Sequence, residues 1–134
     1  MLAIFRICAV ALAGLCFATP ASALDLNAYR AQHHRPPLHM SVTLAGEASA
    51  HAYDMARRGH LDHNGFRESA ALRGTTSAQN VLFGCANEDC AIRMWAKSSR
   101  HRANMLRKDV SAYGIGSATT DNGRRYWVLE LGGE

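Results

Sequence analysis

The stretch VSAYGIGSATTDNGRRYWVLELGG, residues 110–133, decides the fold. Its two halves, VSAYGIGSA and RRYWVLEL, alternate apolar and other residues with the period of two that suits a strand. Between them lies TTDNGR, whose Asp121-Asn122-Gly123 supplies the left-handed and side-chain-bonded conformations a tight turn needs. The C-terminus therefore reads as a β-hairpin. Trp127, Leu129 and Leu131 share one face of its second strand, which makes that face core.

Upstream the period changes. In CAIRMWAKSS, residues 90–99, Ile92 and Trp95 stand three apart and put Trp95 on an apolar helical face. Asn87, Glu88 and Asp89 supply a cap and negative charge for the start of this helix. Arg93, Lys97 and Arg100 fall on the opposite face and, with Arg102, Arg107 and Lys108, form a basic surface. Earlier still, SVTLAGEASAHAYDMARRGHLDH, residues 41–63, places Leu44, Ala48, Ala52 and Met55 on one stripe, with Gly59 positioned to end the helix. His51 borders that stripe as a core-edge histidine. A shorter helix opens at Leu24, Leu26 and Tyr29 and cannot continue past Pro36-Pro37. His33, His34 and His39 flank that break in a polar, exposed loop, where a chance metal contact is the only other role for them. From His60 to Asn80 no period persists, so this region is expected to be loop. Helices followed by a hairpin give an α+β domain, a small antiparallel sheet covered by helices.

Of the 134 residues, the first 23, MLAIFRICAVALAGLCFATPASA, have the layout of a secretory signal peptide. Arg6 precedes an apolar run from Ile7 to Ala18, and Ala21-Ser22-Ala23 offers a small-residue cleavage site. The run is shorter than the roughly 20 residues that span a bilayer, so no transmembrane anchor is expected after cleavage. Residues 24–134 then form a single domain with 14 basic and 11 acidic residues, a net charge of +3. That is too mild a field for a nucleic-acid binder. The expected location is outside the cytoplasm, periplasmic or secreted, and the expected state a monomer. Two cysteines remain, Cys85 and Cys90, and an oxidising compartment favours a disulfide between them over two free thiols. A zinc site on the pair lacks the further Cys or His ligands it would need.

Two histidines lie off the apolar stripes: His63 in the loop after the long helix, and His101 in WAKSSRHRANML, residues 95–106. Such a pair, brought together from distant positions, suits a metal, proton transfer or a polar ligand. The ordinary alternative is hydrogen-bonded surface histidines. Four ordered segments, AHAYDMARRGHLDHNG, SAQNVLFG, MWAKSSRHRANML and YGIGSATTDNGRRYWVLELGG, resemble the bacterial branch of the CAP superfamily. That superfamily comprises the cysteine-rich secretory, antigen-five and pathogenesis-related-one proteins. The resemblance covers residues 26–133 and implies an α-β-α sandwich with a cleft lined by two histidines and two acids. The histidines fall on His63 and His101. The acids fall on Gln79, in AQN where the family has GEN, and on Ser98, three residues after the tryptophan. Both carboxylates are thus replaced, and Asp62 and His60 are the only neighbours in sequence that could substitute. Two imidazoles without a carboxylate give at best weak zinc binding, and no cofactor is required. Changing Gln79 to Glu is expected to tighten it. Members of the family are described as binding sterols and other lipids. The resemblance therefore implies an exported, non-enzymatic binding module whose cleft, with His63, Gln79, Ser98 and His101, engages a small molecule, a lipid or an envelope component. A metal-assisted hydrolase using His63 and His101 is the alternative.

Overall fold

The computed structural model describes residues 23–67 and 77–133. The expected leader lies outside these residues except for Ala23. Chain order is α1 (Leu26–Gln32), β1 (His39–Met40), α2 (Val42–Arg58), β2 (Ser77–Phe83), α3 (Glu88–Lys97), α4 (Ser99–Met105), β3 (Ala112–Thr119) and β4 (Arg125–Gly132). Each of these four helices starts after a residue whose side-chain oxygen accepts from a backbone N–H three residues on. Asp25, Ser41, Asn87 and Ser98 take the N–H groups of Ala28, Leu44, Cys90 and His101. Gly59 closes α2 in the left-handed region, at φ 66°.

The hairpin is β3 and β4, paired antiparallel from Ala112↔Gly132 to Thr119↔Arg125. The sheet runs β1-β3-β4-β2 and departs from the expected antiparallel arrangement at one edge, where the two-residue β1 pairs parallel with β3. A second difference is β2. The expected loop from His60 to Asn80 ends at Ser77, where a strand begins that pairs antiparallel with β4 over seven residues. Its residues show no alternation because both faces are covered, and such a strand has no period of two to read.

Side chains of β4 alternate between two cores. Trp127, Leu129 and Leu131 join Leu26, Tyr29, Ile92, Trp95 and Met105 on the α1, α3 and α4 side. Tyr126 and Val128 join Ala48, Ala52, Met55 and Val81 on the α2 side. The result is three layers, helix on sheet on helix, with Trp95 and Trp127 buried as expected at 1% and 7% exposure. Helix α2 lies very close to β3: a Cβ on Gly114 would stand 2.1 Å from Ala45 N, and one on Gly116 2.4 Å from Ser49 N. Only glycine admits that approach. A Cys85–Cys90 disulfide, Cα–Cα 5.5 Å, closes the turn between β2 and α3.

Candidate functional site

His63 leaves the C-terminal end of α2 in a loop that is tied down residue by residue. His51 Nε2 bonds the carbonyl of Asp62 at 2.9 Å, Arg58 donates to Asp62 Oδ2 at 2.7 Å, and the Asn64 N–H donates to Asp62 Oδ1 at 3.1 Å. Arg58 holds the Asp62 carboxyl below the usual carboxylate range. Asp62 is therefore engaged with the loop and not with His63, and His60 is exposed on the surface. His51 sits at the edge of the α2 core, as expected.

The partner of His63 is Gln79. His63 Nδ1 and Gln79 Oε1 are 2.6 Å apart, and Gln79 Nε2 donates to Glu130 Oε1 at 2.7 Å. Gln79 and Glu130 are direct register partners across the β2–β4 ladder. Glu130 is 3% exposed and Gln79 5%. The histidine thus has a carboxylate after all, one amide further back and on a different strand.

His101 occupies the first turn of α4, capped by Ser98, whose Oγ accepts from the His101 N–H at 3.5 Å. Ser98 also ends α3, so its place is the joint between two helices. Asn80, fully buried, donates to the His101 carbonyl at 2.9 Å and accepts from Asn104 Nδ2 at 2.8 Å. Asn104 Nδ2 also reaches the carbonyl of Gln79 at 3.3 Å. At the far end of α4, the buried guanidinium of Arg30 donates to the carbonyls of Met105 at 2.7 Å and Arg107 at 3.0 Å. The asparagine bonds set α4 against the edge strand β2, and those of Arg30 tie its far end to α1. Burial, then the charges of His63 and Arg100, hold the His101 imidazole below its ordinary pKa.

The two histidines border adjacent hollows. A polar cleft of about 500 Å³ includes His63, Asn64, Gln79, Asn104 and Arg107. A smaller groove of about 280 Å³ is formed by Leu61, Val81, Leu82, Phe83, Met94 and Trp95, with His101 at its wall. Ser98 lines neither of the two. Among the described residues no three His, Cys, Asp or Glu side chains converge to hold a metal, the histidines between residues 33 and 39 included. A catalytic zinc requires about three protein ligands, and His63 and His101 provide two. The described residues do not make up such a centre.

Three residues of this site escaped the sequence reading. Glu130 had a signal, a lone carboxylate in the apolar run YWVLEL, and buried charges are rarely left without a role. Asn80 closes a segment without period, and nothing in the short first helix marks Arg30 as buried. The basic surface is partly neutralised, with Arg93 paired to Asp89 and Arg107 to Asp109 at 2.8 Å and 2.7 Å.

A profile of the cysteine-rich secretory protein family (CAP) matches residues 25–131. A search of curated proteins gave no match. Among solved structures, an outer surface protein of Borrelia burgdorferi superposes with a TM-score of 0.71 at 16% identity, covering 81% of this chain and 86% of that one. An extracellular protein of Bacillus anthracis containing an SCP domain gives 0.68 at 20% identity, over 81% of this chain and 38% of that one. A cysteine-rich secretory protein of Staphylococcus aureus gives 0.63 at 22% identity, over 81% and 36%. At these identities the likeness is one of fold.

Proposed function

The chain belongs to the cysteine-rich secretory protein (CAP) family, and we propose that it is an exported, non-enzymatic binding module whose groove beside His101 takes a slim apolar chain such as the acyl tail of a lipid. The observation that carries this reading is the groove itself. Phe83 and Met94, its rim, are 49% and 50% exposed, and of the exposed large apolar side chains, which also include Met40, Val42 and Tyr53, these two line this groove. Contiguous exposed apolar surface is costly in water and commonly marks a binding site. The volume, about 280 Å³, lies just below the ~300–1,000 Å³ range for ligand sites, which favours one chain over a bulky ring system. The polar cleft alongside, with His63, Asn64, Gln79 and Asn104, offers hydrogen-bonding groups for a head group. Export accords with the signal-like leader and with a disulfide, which persists in oxidising compartments.

The test is binding of a fluorescent long-chain fatty acid to the purified protein, together with mass analysis of its organic extract. Saturable binding that Met94→Glu reduces at least tenfold supports the reading. No binding by wild type and no lipid in the extract would overturn it.

A further inference from the structure

We infer that Glu130 and Gln79 form an amide relay that fixes the tautomer of His63, so that its Nε2 lone pair faces the polar cleft and accepts from a hydroxyl or amide N–H of the ligand. The argument starts from the buried carboxylate. An ionised Glu is acceptor-only, whereas an amide has a donor end and an acceptor end. Gln79 Nε2 donates to Glu130 Oε1 at 2.7 Å, so the NH₂ end of the amide faces the Glu130 carboxyl group. The carbonyl end is then committed to His63, 2.6 Å away. An acceptor at that distance requires a proton on Nδ1. A neutral imidazole protonated on Nδ1 carries its lone pair on Nε2.

Three features make this a positioning device and not only a structural bond. Glu130 and Gln79 are register partners on paired strands, so their separation is set by the ladder and does not depend on a loop. Both are nearly inaccessible, which spares the relay competition from water. His63 is exposed and borders the cleft with Asn64, Asn104 and Arg107, and among the described residues its Nε2 has no hydrogen-bond partner. The carboxyl group stands one rung of the sheet away from the residue that bonds the histidine. A directly bonded carboxylate would draw the histidine toward its cation; the interposed amide passes on orientation with less charge. The relay concerns the polar cleft that the proposed reading gives to a head group, but it is read from the histidine tautomer in the resting protein and does not depend on a lipid binding there.

The test is ¹⁵N NMR of the histidine side chains in the purified protein, at a fixed pH where His63 is neutral, with no ligand or metal added. The expected result is a pyrrole-type Nδ1 and a pyridine-type Nε2 for His63. Glu130→Leu, which frees the Gln79 amide to turn, should shift a large share of His63 to the opposite tautomer, and Gln79→Leu should do the same. Should Glu130→Leu fail to fold, Glu130→Gln replaces the carboxylate by a group that accepts or donates and should likewise mix the tautomers. A protonated Nε2 in the wild type overturns the relay. So does a wild-type tautomer that persists unchanged in the folded variants.

Discussion

Asn80, at the middle of β2, donates from Nδ2 to the carbonyl of His101 at 2.9 Å, while its Oδ1 accepts from Asn104 at 2.8 Å. One fully buried amide thus joins the edge strand to the first turn of α4 and sets where the imidazole begins. Asn80→Ala would leave the His101 carbonyl and the Asn104 amide without this partner. The expected cost is about 1–3 kcal/mol in urea unfolding, with faster amide exchange in α4 than in α2. Unfolding indistinguishable from wild type would mean that this amide contributes nothing to holding the helix.

Gln79→Glu looks in sequence like a restoration of the missing family acid. In the structure it sets a second carboxylate against Glu130, and two carboxylates at that distance do not both ionise readily. The single variant is expected to lose at least about 2 kcal/mol at neutral pH and to recover part of it on acidification, as one of the pair takes up a proton. The double variant Gln79→Glu/Glu130→Gln returns one charge to the pair and places it beside His63. It should regain most of the stability and bind zinc about tenfold or more tightly than wild type. Calorimetric titration on the double variant decides the second point, and urea midpoints across pH decide the first.

The two tryptophans are both core, and Ala at either should cost about 3–5 kcal/mol. Phe should separate them. Trp127 Nε1 donates to the Cys85 carbonyl at 2.9 Å, whereas buried Trp95 Nε1 has no hydrogen-bond partner. Trp127→Phe gives up a hydrogen bond beside the disulfide turn, and Trp95→Phe removes a donor that gained nothing. Chemical denaturation should show Trp127→Phe as the more damaging of the two.

His101 predicts a pH dependence. Its folded pKa lies below the ordinary value of 6.5, because burial and then the charges of His63 and Arg100 disfavour the imidazolium. Between the folded and unfolded values the unfolded chain holds a proton that the folded one lacks. Stability therefore falls as pH drops through the region near 6.5 and levels off below the folded value. His101→Asn should flatten this part of the profile in metal-free protein. A slope unchanged by the substitution would assign it to another histidine.

Processing at the expected site has a structural consequence. The Leu24 nitrogen donates to Asp89 Oδ1 at 2.7 Å, and cleavage after Ala23 would turn that amide into an ammonium group. Asp89→Asn should then lower the melting temperature more in a chain that begins at Leu24 than in one that retains Ala23 and a few residues before it. Equal shifts in the two chains would show that the charge of the processed terminus contributes nothing there.

Local chemistry was legible in the sequence. The hairpin followed from alternation around Asp121-Asn122-Gly123, the cap of α3 from Asn87, the end of α2 from Gly59, and the buried faces of Trp95 and Trp127 from helical and strand spacing. All of these are settled within a few residues, where backbone preference and side-chain period act together. His63 and His101 stood out as histidines off the apolar stripes, and the single cleft that the family resemblance implied for them is two hollows in the structure. What only the tertiary structure decided is non-local. Strand β2 has no period because α2 covers one face and α3 and α4 the other, so it becomes a strand only through its ladder with β4. Arg30 reaches α4 across 75 residues and Glu130 reaches Gln79 across 51. A buried polar side chain acquires its role from the partner that burial forces on it, and here the partners that give Gln79 and Glu130 their roles are chosen by strand register, which the identity of neither residue reveals.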